Sequence, residues 1–183
     1  SGSISGIGVA LLAGVNQASS AVQFSGNNSG FSGTVTVRDA TLSIGSSLNL
    51  GLGGVAFQGG TLKLLNDMSL PQALQISEIG ASKGGTINTN GHNASIAGVI
   101  SGSVSSGNTL TKTGLGALTL NGVSTYTGPT LVSAGALNVG DVNNQAARIT
   151  SNVTVASGAG LGGFGTVQGN VTATNATVTP GSL

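Results

Sequence analysis

The side chains able to carry chemistry are few and far apart. The acids are Asp39, Asp67, Glu78 and Asp141, and the single histidine is His92. Polysaccharide lyases and hydrolases built on stacked strands gather several carboxylates on one face, where they share a proton or hold a cation. Asp39 and Asp67 are about one coil apart, at a spacing that allows stacking with Arg38 nearby, although a solvated turn is the expected setting of each. His92 lies in Asn90-Gly91-His92-Asn93, which reads as an exposed turn; no carboxylate is near it in sequence, so only stacking of coils can supply one. Gly158, Gly160 and Gly163 match G-x-G-x-x-G. A dinucleotide cradle needs a following helix and an acid about 20 residues on. The run FGTVQGNVTATNATVTPG after Gly163 offers neither, and turn glycines are the expected reading.

Threonines recur as Thr34/Thr36, Thr109/Thr111, Thr172/Thr174 and Thr177/Thr179. A flat array of such pairs orders water when it repeats at one coil period. These pairs keep no fixed period, so they read as solvent-facing strand residues. Phe31 and Tyr126 have the chemistry to stack on a ligand, but their matching places in a repeat point to a shared packing role. The sequons at Asn27, Asn93, Asn152, Asn170 and Asn175 carry little weight for function. No residue is nominated as catalytic, cofactor-binding or metal-ligating, and neither an enzyme nor a cofactor is expected.

Composition narrows the classes further. Of 183 residues, 33 are glycine, 5% are charged and 3% aromatic, with no Cys, no Trp and a formal net charge of +1. Thiol chemistry, disulfides and cysteine metal sites are therefore excluded. Five scattered Lys and Arg do not make the basic stripe that nucleic acid requires, so no nucleic-acid partner is expected. The hydrophobic share of 38% opposes disorder, and three prolines with no Gly-X-Y period oppose collagen. The most apolar run, Ile4 to Val15, is like a signal-peptide core but lacks a basic flank, and reads as a buried strand or capping segment. No stretch reaches the ~18 to 20 apolar residues of a membrane-crossing helix. The chain reads as a piece of something longer.

What would position these side chains is a set of short strands. Alternation of period two recurs in bursts bounded by Gly, Asn and Ser: Val35/Val37, Leu42/Ile44, Leu48/Leu50/Leu52, Leu62/Leu64, Leu118/Leu120, Leu137/Val139 and Val153/Val155. Residues 26–42 match 121–137 at an offset of 95, with Phe31 on Tyr126, Gly33 on Gly128 and Leu42 on Leu137. Val22-Gln23-Phe24 matches Leu118-Thr119-Leu120 with one residue gained. Such a pattern predicts an all-β fold, a right-handed single-stranded parallel β-helix (β-solenoid) of about eight coils. Coils of ~20 to 25 residues would build a rod ~35 to 40 Å long. Asn49, Asn66, Asn88 and Asn90 are expected at turns, as left-handed residues or stacked amide ladders. Residues 1–21 read as an N-terminal coil or cap and 22–183 as the β-helix, with repeats at about 22–42 and 85–140.

The run from Gly85 to Ser103, and above all Leu110-Thr111-Lys112-Thr113-Gly114 through Thr125-Tyr126-Thr127-Gly128 to Ala134-Gly135, resembles the passenger-associated transport repeat of bacterial type V autotransporters. Pro129 stands where that family has a small residue or Gly, and Leu131 where it has Thr. The first copy departs more, with Phe31 for Tyr and Asp39-Ala40 for the Ala-Gly turn. The resemblance extends over about 22–182. It implies a secreted passenger at the surface of a Gram-negative bacterium, carried out by a separate C-terminal outer-membrane β-barrel of the same precursor. It further implies an adhesin or adhesin stalk whose stable coils assist secretion. The alternatives are a specific host-receptor binding module, with a host cell surface or matrix protein as partner, and a fragment of a carbohydrate-active β-helix enzyme. Absence of thiols and scarcity of charge suit a chain exported unfolded through an oxidising periplasm.

Overall fold

Val, Leu and Ile alternating with Thr, Ser and Asn form strands because a period of two turns one apolar edge inward. The computed structural model describes residues 3–14, 20–76, 84–102 and 108–181. Its strands follow one another around three faces. The first carries β1 (Val9–Ala13), β3 (Thr34–Arg38), β5 (Val55–Gln58), β8 (Leu74–Ile76) and β11 (Ile100–Ser101). The second carries β2 (Ala21–Phe24), β4 (Thr41–Ile44), β6 (Thr61–Leu64), β9 (Gly85–Asn88), β12 (Leu110–Thr113), β14 (Thr130–Val132), β17 (Val153–Val155) and β20 (Val171–Ala173). On the third are β7 (Met68–Leu70), β10 (Ala94–Ile96), β13 (Ala117–Leu120), β15 (Ala136–Val139), β18 (Gly160–Gly163) and β21 (Thr177–Pro180). Beyond β11, the Thr125 N–H to Ile100 O bond and a Val123–Arg148 bridge continue the first face into β16 (Arg148–Ile149) and β19 (Thr166–Val167).

Every pairing between these strands is parallel. The chain is thus the expected β-solenoid. Eight rungs on the second face delimit seven turns, where about eight coils were expected. Ala21, Thr41, Thr61, Thr86, Thr111, Leu131, Thr154 and Thr172 are successive partners, so the turns take 20, 20, 25, 25, 20, 23 and 18 residues. Seven strand spacings make a rod of about 34 Å.

The core is a set of aliphatic columns. Leu42, Leu62, Ile87, Lys112, Val132 and Val155 stack in register, each no more than 1% exposed. The ends differ. Val22 continues this column below Leu42 and is 38% exposed; at the other end Val171, stacked on buried Val153, is 43% exposed, and Val178, above buried Leu161, is 51% exposed.

Two expectations change on the structure. The alternation of Leu48, Leu50 and Leu52 belongs to a 3-10 turn, Ser47–Leu50, which takes a third-face position. Ser46 Oγ accepts from Leu48 N, Asn49 Oδ1 accepts from Ser46 N, and Gly51 leaves the turn at φ 78°. Local capping therefore overrides the strand pattern, and Leu48 and Leu52 point into solvent. The turn asparagines, secondly, answer backbone instead of one another. Asn49 Nδ2 donates to Gly26 O, Asn66 Nδ2 to Gly45 O, and Asn88 Oδ1 accepts from Asn90 N. Asn90 does adopt a left-handed conformation, φ 54°.

Candidate functional site

The acids stand at three different corners. Asp39 follows β3 where the first face meets the second, Asp67 precedes β7 between the second and third, and Asp141 follows β15 between the third and first. Asp39 and Asp67 therefore do not stack; Arg38 instead donates from Nε to Gln58 Oε1 at 2.6 Å. Glu78 lies outside the described residues. What stacks on Asp67 is His92. Coil spacing brings Nδ1 of His92 to 3.3 Å from Asp67 Oδ1, and the Asn93 N–H donates to that same oxygen at 3.0 Å. Both side chains stay in reach of water, so the pair adds at most about 1 kcal/mol. A shallow dish of about 270 Å³ opens beside it, lined by Met68, Asn93, Ala94, Ser95, Ala117 and Thr119. Among the described residues no group of three or more His, Asp and Glu is placed to hold a metal.

Asp141 closes its own loop. Its Oδ1 accepts from Asn144 Nδ2 at 2.7 Å and Asn143 N at 2.9 Å, and Oδ2 accepts from Asn121 Nδ2 at 2.8 Å. Chiefly through Asn144, these donors hold the carboxyl below its ordinary pKa. Of the glycine triplet, Gly158 sits in a turn at φ 77°, while Gly160–Gly163 form β18, which packs as a strand between β15 and β21. The asparagines of three sequons serve structure: Asn27 Oδ1 accepts from Ser29 N, Asn93 Oδ1 from Ala117 N and Asn152 Oδ1 from Asn170 N.

The second repeat copy carries buried polar wiring around Tyr126 and Lys112. Phe31 and Tyr126 are both buried, at 5% and 1% exposure. The Tyr126 hydroxyl is 2.7 Å from Thr130 Oγ1, which is 2.7 Å from Ser151 Oγ, so a chain of buried hydroxyls links two coils. Burial pushes the phenol pKa up, against the pull of those hydrogen bonds. At the corner after β12, Lys112 turns from the aliphatic column and donates from Nζ to Thr113 O (3.1 Å), Gly114 O (2.8 Å) and Ala134 O (3.0 Å). Burial lowers its pKa from 10.5 to about 8. From the coil below, the Thr89 hydroxyl reaches the same turn, lying 3.0 Å from Leu115 O, 3.2 Å from Thr113 O and 3.3 Å from Gly114 O, so its one proton is shared among three carbonyls. The sequence marked Lys112 only as part of a motif. Its inward parity (Leu110, Lys112) was the available signal, since a period of two puts both in the core.

Threonines form a longer ladder than their spacing suggested. On the outer side of the second face, Thr41, Thr61, Thr86 and Thr111 are consecutive partners, and Thr154 and Thr172 resume the line after Leu131. The T-x-T pairs of the sequence contribute only Thr111 and Thr172 to this column, so their lack of a fixed period stands and the column is a separate feature of the strand register. Turns of unequal length absorb the differences in coil length, so one column survives without a fixed sequence period. Lys63 stands one outward position along, opposite Ser43 and Asn88.

Comparison with known families gives one finding. The sequence model of the passenger-associated-transport-repeat matches residues 21–44 and 110–139. No curated protein and no solved structure gives a significant match.

Proposed function

The chain carries two passenger-associated transport repeats, and from that premise we propose that it is a segment of the secreted passenger of a Gram-negative autotransporter, acting as an adhesin or its stalk. The observation that carries this reading is the second-face ladder, which runs unbroken from the first repeat through the second. A rod of stacked coils holds whatever lies beyond it away from the membrane, and its flat outer faces suit extended contacts better than a pocket does. On this reading the C-terminal outer-membrane β-barrel of the same precursor is its partner during export. The passenger then stands at the cell surface or is released, where a host surface or matrix protein meets it. Each coil gains its ladder bonds and core contacts only against a neighbour. Folding therefore releases free energy one coil at a time on the far side of the membrane, which favours outward movement and opposes return.

The test places Leu118→Asp and Leu137→Asp in the passenger expressed with its own barrel. Both leucines are about 1% exposed, so the charges forbid the coil. Surface exposure, read by protease accessibility on intact cells, is expected to fall severalfold. Display equal to that of the parent would overturn the secretion role. Saturable binding of the purified segment to host cells or matrix proteins supports adhesion, and no binding leaves the stalk.

A further inference from the structure

In-and-out alternation fixes strand parity, but it does not fix register: a slip of two residues returns every side chain to its own side. This solenoid is unusually open to that error. Its second-face strands are short, with chiefly aliphatic residues inward and chiefly Thr, Ser and Asn outward. β14 carries Thr130 and Val132 inward and Leu131 outward, so a slip by two sets Val132 opposite Leu110 and Ser133 opposite Thr111 with in-and-out parity kept. Two inward residues break the uniformity, Thr130 and Lys112. The Thr130 hydroxyl meets Tyr126 of its own coil and Ser151 of the next, so of the two it is Lys112 that bonds across the boundary between β12 and β14. Lys112 stands in the aliphatic column between Ile87 and Val132, 1% exposed, and its ammonium is bonded to two carbonyls of its own coil and one of the next.

We propose that Lys112 is a register key, which admits the coil of β14 and β15 in one alignment on β12 and penalises the alignment slipped by two residues. In the native alignment Ala134 presents its carbonyl to the third N–H of the ammonium. Gly135 leaves the necessary room, because a Cβ there would stand 2.9 Å from Lys112 Nζ and collide with the carbonyl oxygens of Gly114 and Gly116. A slip carries the Ala134–Gly135 turn away and leaves a buried ammonium one partner short, which is among the costlier faults a core can hold. Lys112, Gly114, Gly116 and Gly135 thus act as one device, with a single polar residue specifying alignment as buried polar residues do in coiled coils. The proposal is independent of export and display.

The chain has no cysteine, so register can be read by trapping. Thr111 and Leu131 are direct partners pointing outward, within disulfide reach at one strand spacing. Thr111 and Ser133 come into reach only after the slip. Chains carrying Thr111→Cys with Leu131→Cys, or Thr111→Cys with Ser133→Cys, are refolded and oxidised with Lys112 intact and again with Lys112→Met or Lys112→Leu. The expected result is cross-linking of 111 to 131 alone with the lysine present, and at least about a tenfold rise of the 111–133 product without it. Equal yields of the 111–133 product in both backgrounds overturn the proposal. Failure of both the Met and the Leu chains to fold overturns it too, since the ammonium would then be required for the fold itself and not for its alignment.

Discussion

The two repeat copies share a pattern and occupy different places in the rod. In the first, the segment matching β13 is β2 on the second face, and β3 and β4 run from the first face to the second. In the second, β13 lies on the third face, and β14 and β15 run from the second to the third. The motif has moved by one face. Phe31 accordingly bridges Gly6 at one corner, while the Tyr126 N–H bonds to Ile100 O at another. A repeat of this kind is a local unit of aromatic, turn and two strands. Any face accepts it, because all three have the same strand spacing and an aliphatic interior. Position along the axis separates the copies further: β2 pairs only with β4 among the described strands, whereas β12 to β15 are stacked on both sides.

Removing the aromatic in each copy tests that separation most strongly. Tyr126→Ala and Phe31→Ala each open a cavity worth about 3 to 5 kcal/mol. In a nearest-neighbour stack, the same loss acts differently in the middle and at an end. Tyr126→Ala is expected to lower the main thermal transition and expose amides on both sides of 126. Phe31→Ala is expected to fray β1 and β2, seen by hydrogen exchange over 9–13 and 21–24, with the main transition little moved. Equal shifts of that transition would show that the rod unfolds as one unit.

The turn between the last two strands of each copy comes next. Gly135 has φ 68° and no room for a Cβ, so Gly135→Ala is expected to cost about 2 to 4 kcal/mol by urea unfolding. Its counterpart Ala40 already carries a Cβ, because the left-handed residue there is Asp39, at φ 47°. Ala40→Gly is expected to cost only about 0.5 to 1 kcal/mol. The two copies thus turn the corner with the left-handed residue displaced by one, and the pair of variants measures what that displacement is worth.

These contrasts mark the limits of the sequence as a guide. Parity was legible: Leu42, Ile44, Leu62, Leu64, Leu118 and Leu120 are all inside, as a period of two requires. So was the pairing of Phe31 with Tyr126, since an offset of 95 aligns the two copies residue by residue. Stacking was not legible, because turns vary from 18 to 25 residues and nothing local states which coil meets which. That is why the spacing of Asp39 and Asp67 allows a stack that their different corners forbid, why coil stacking could be named as a source of a carboxylate for His92 without pointing to Asp67, and why the threonine column shows only in the register. Leu48 to Leu52 misled for the opposite reason, as a capping serine and a side-chain amide acting over four residues outweighed the alternation.

The smallest contrast is a single hydroxyl. Tyr126→Phe gives the second copy the aromatic of the first, and Thr130 and Ser151 keep each other as partners, so no buried group is orphaned. A cost of about 1 kcal/mol follows. Alkaline titration separates this hydroxyl from Lys112, because the two groups shift in opposite directions. Lys112 has a folded pKa of about 8 against 10.5, so across that window the unfolded chain holds the extra proton and stability rises with pH. Tyr126 has a raised pKa, so above its ordinary value of 10.0 the folded chain holds the extra proton and stability falls. Urea midpoints from pH 7 to 11 should therefore climb and then turn down. Tyr126→Phe should abolish the downturn and keep the climb, and Lys112→Met should do the reverse. Tyr126 is the chain's one tyrosine and there is no tryptophan, so phenolate absorbance reports its ionisation directly. A phenol that titrates at its ordinary pKa in the folded chain would place Tyr126 in water and dissolve its equivalence with buried Phe31.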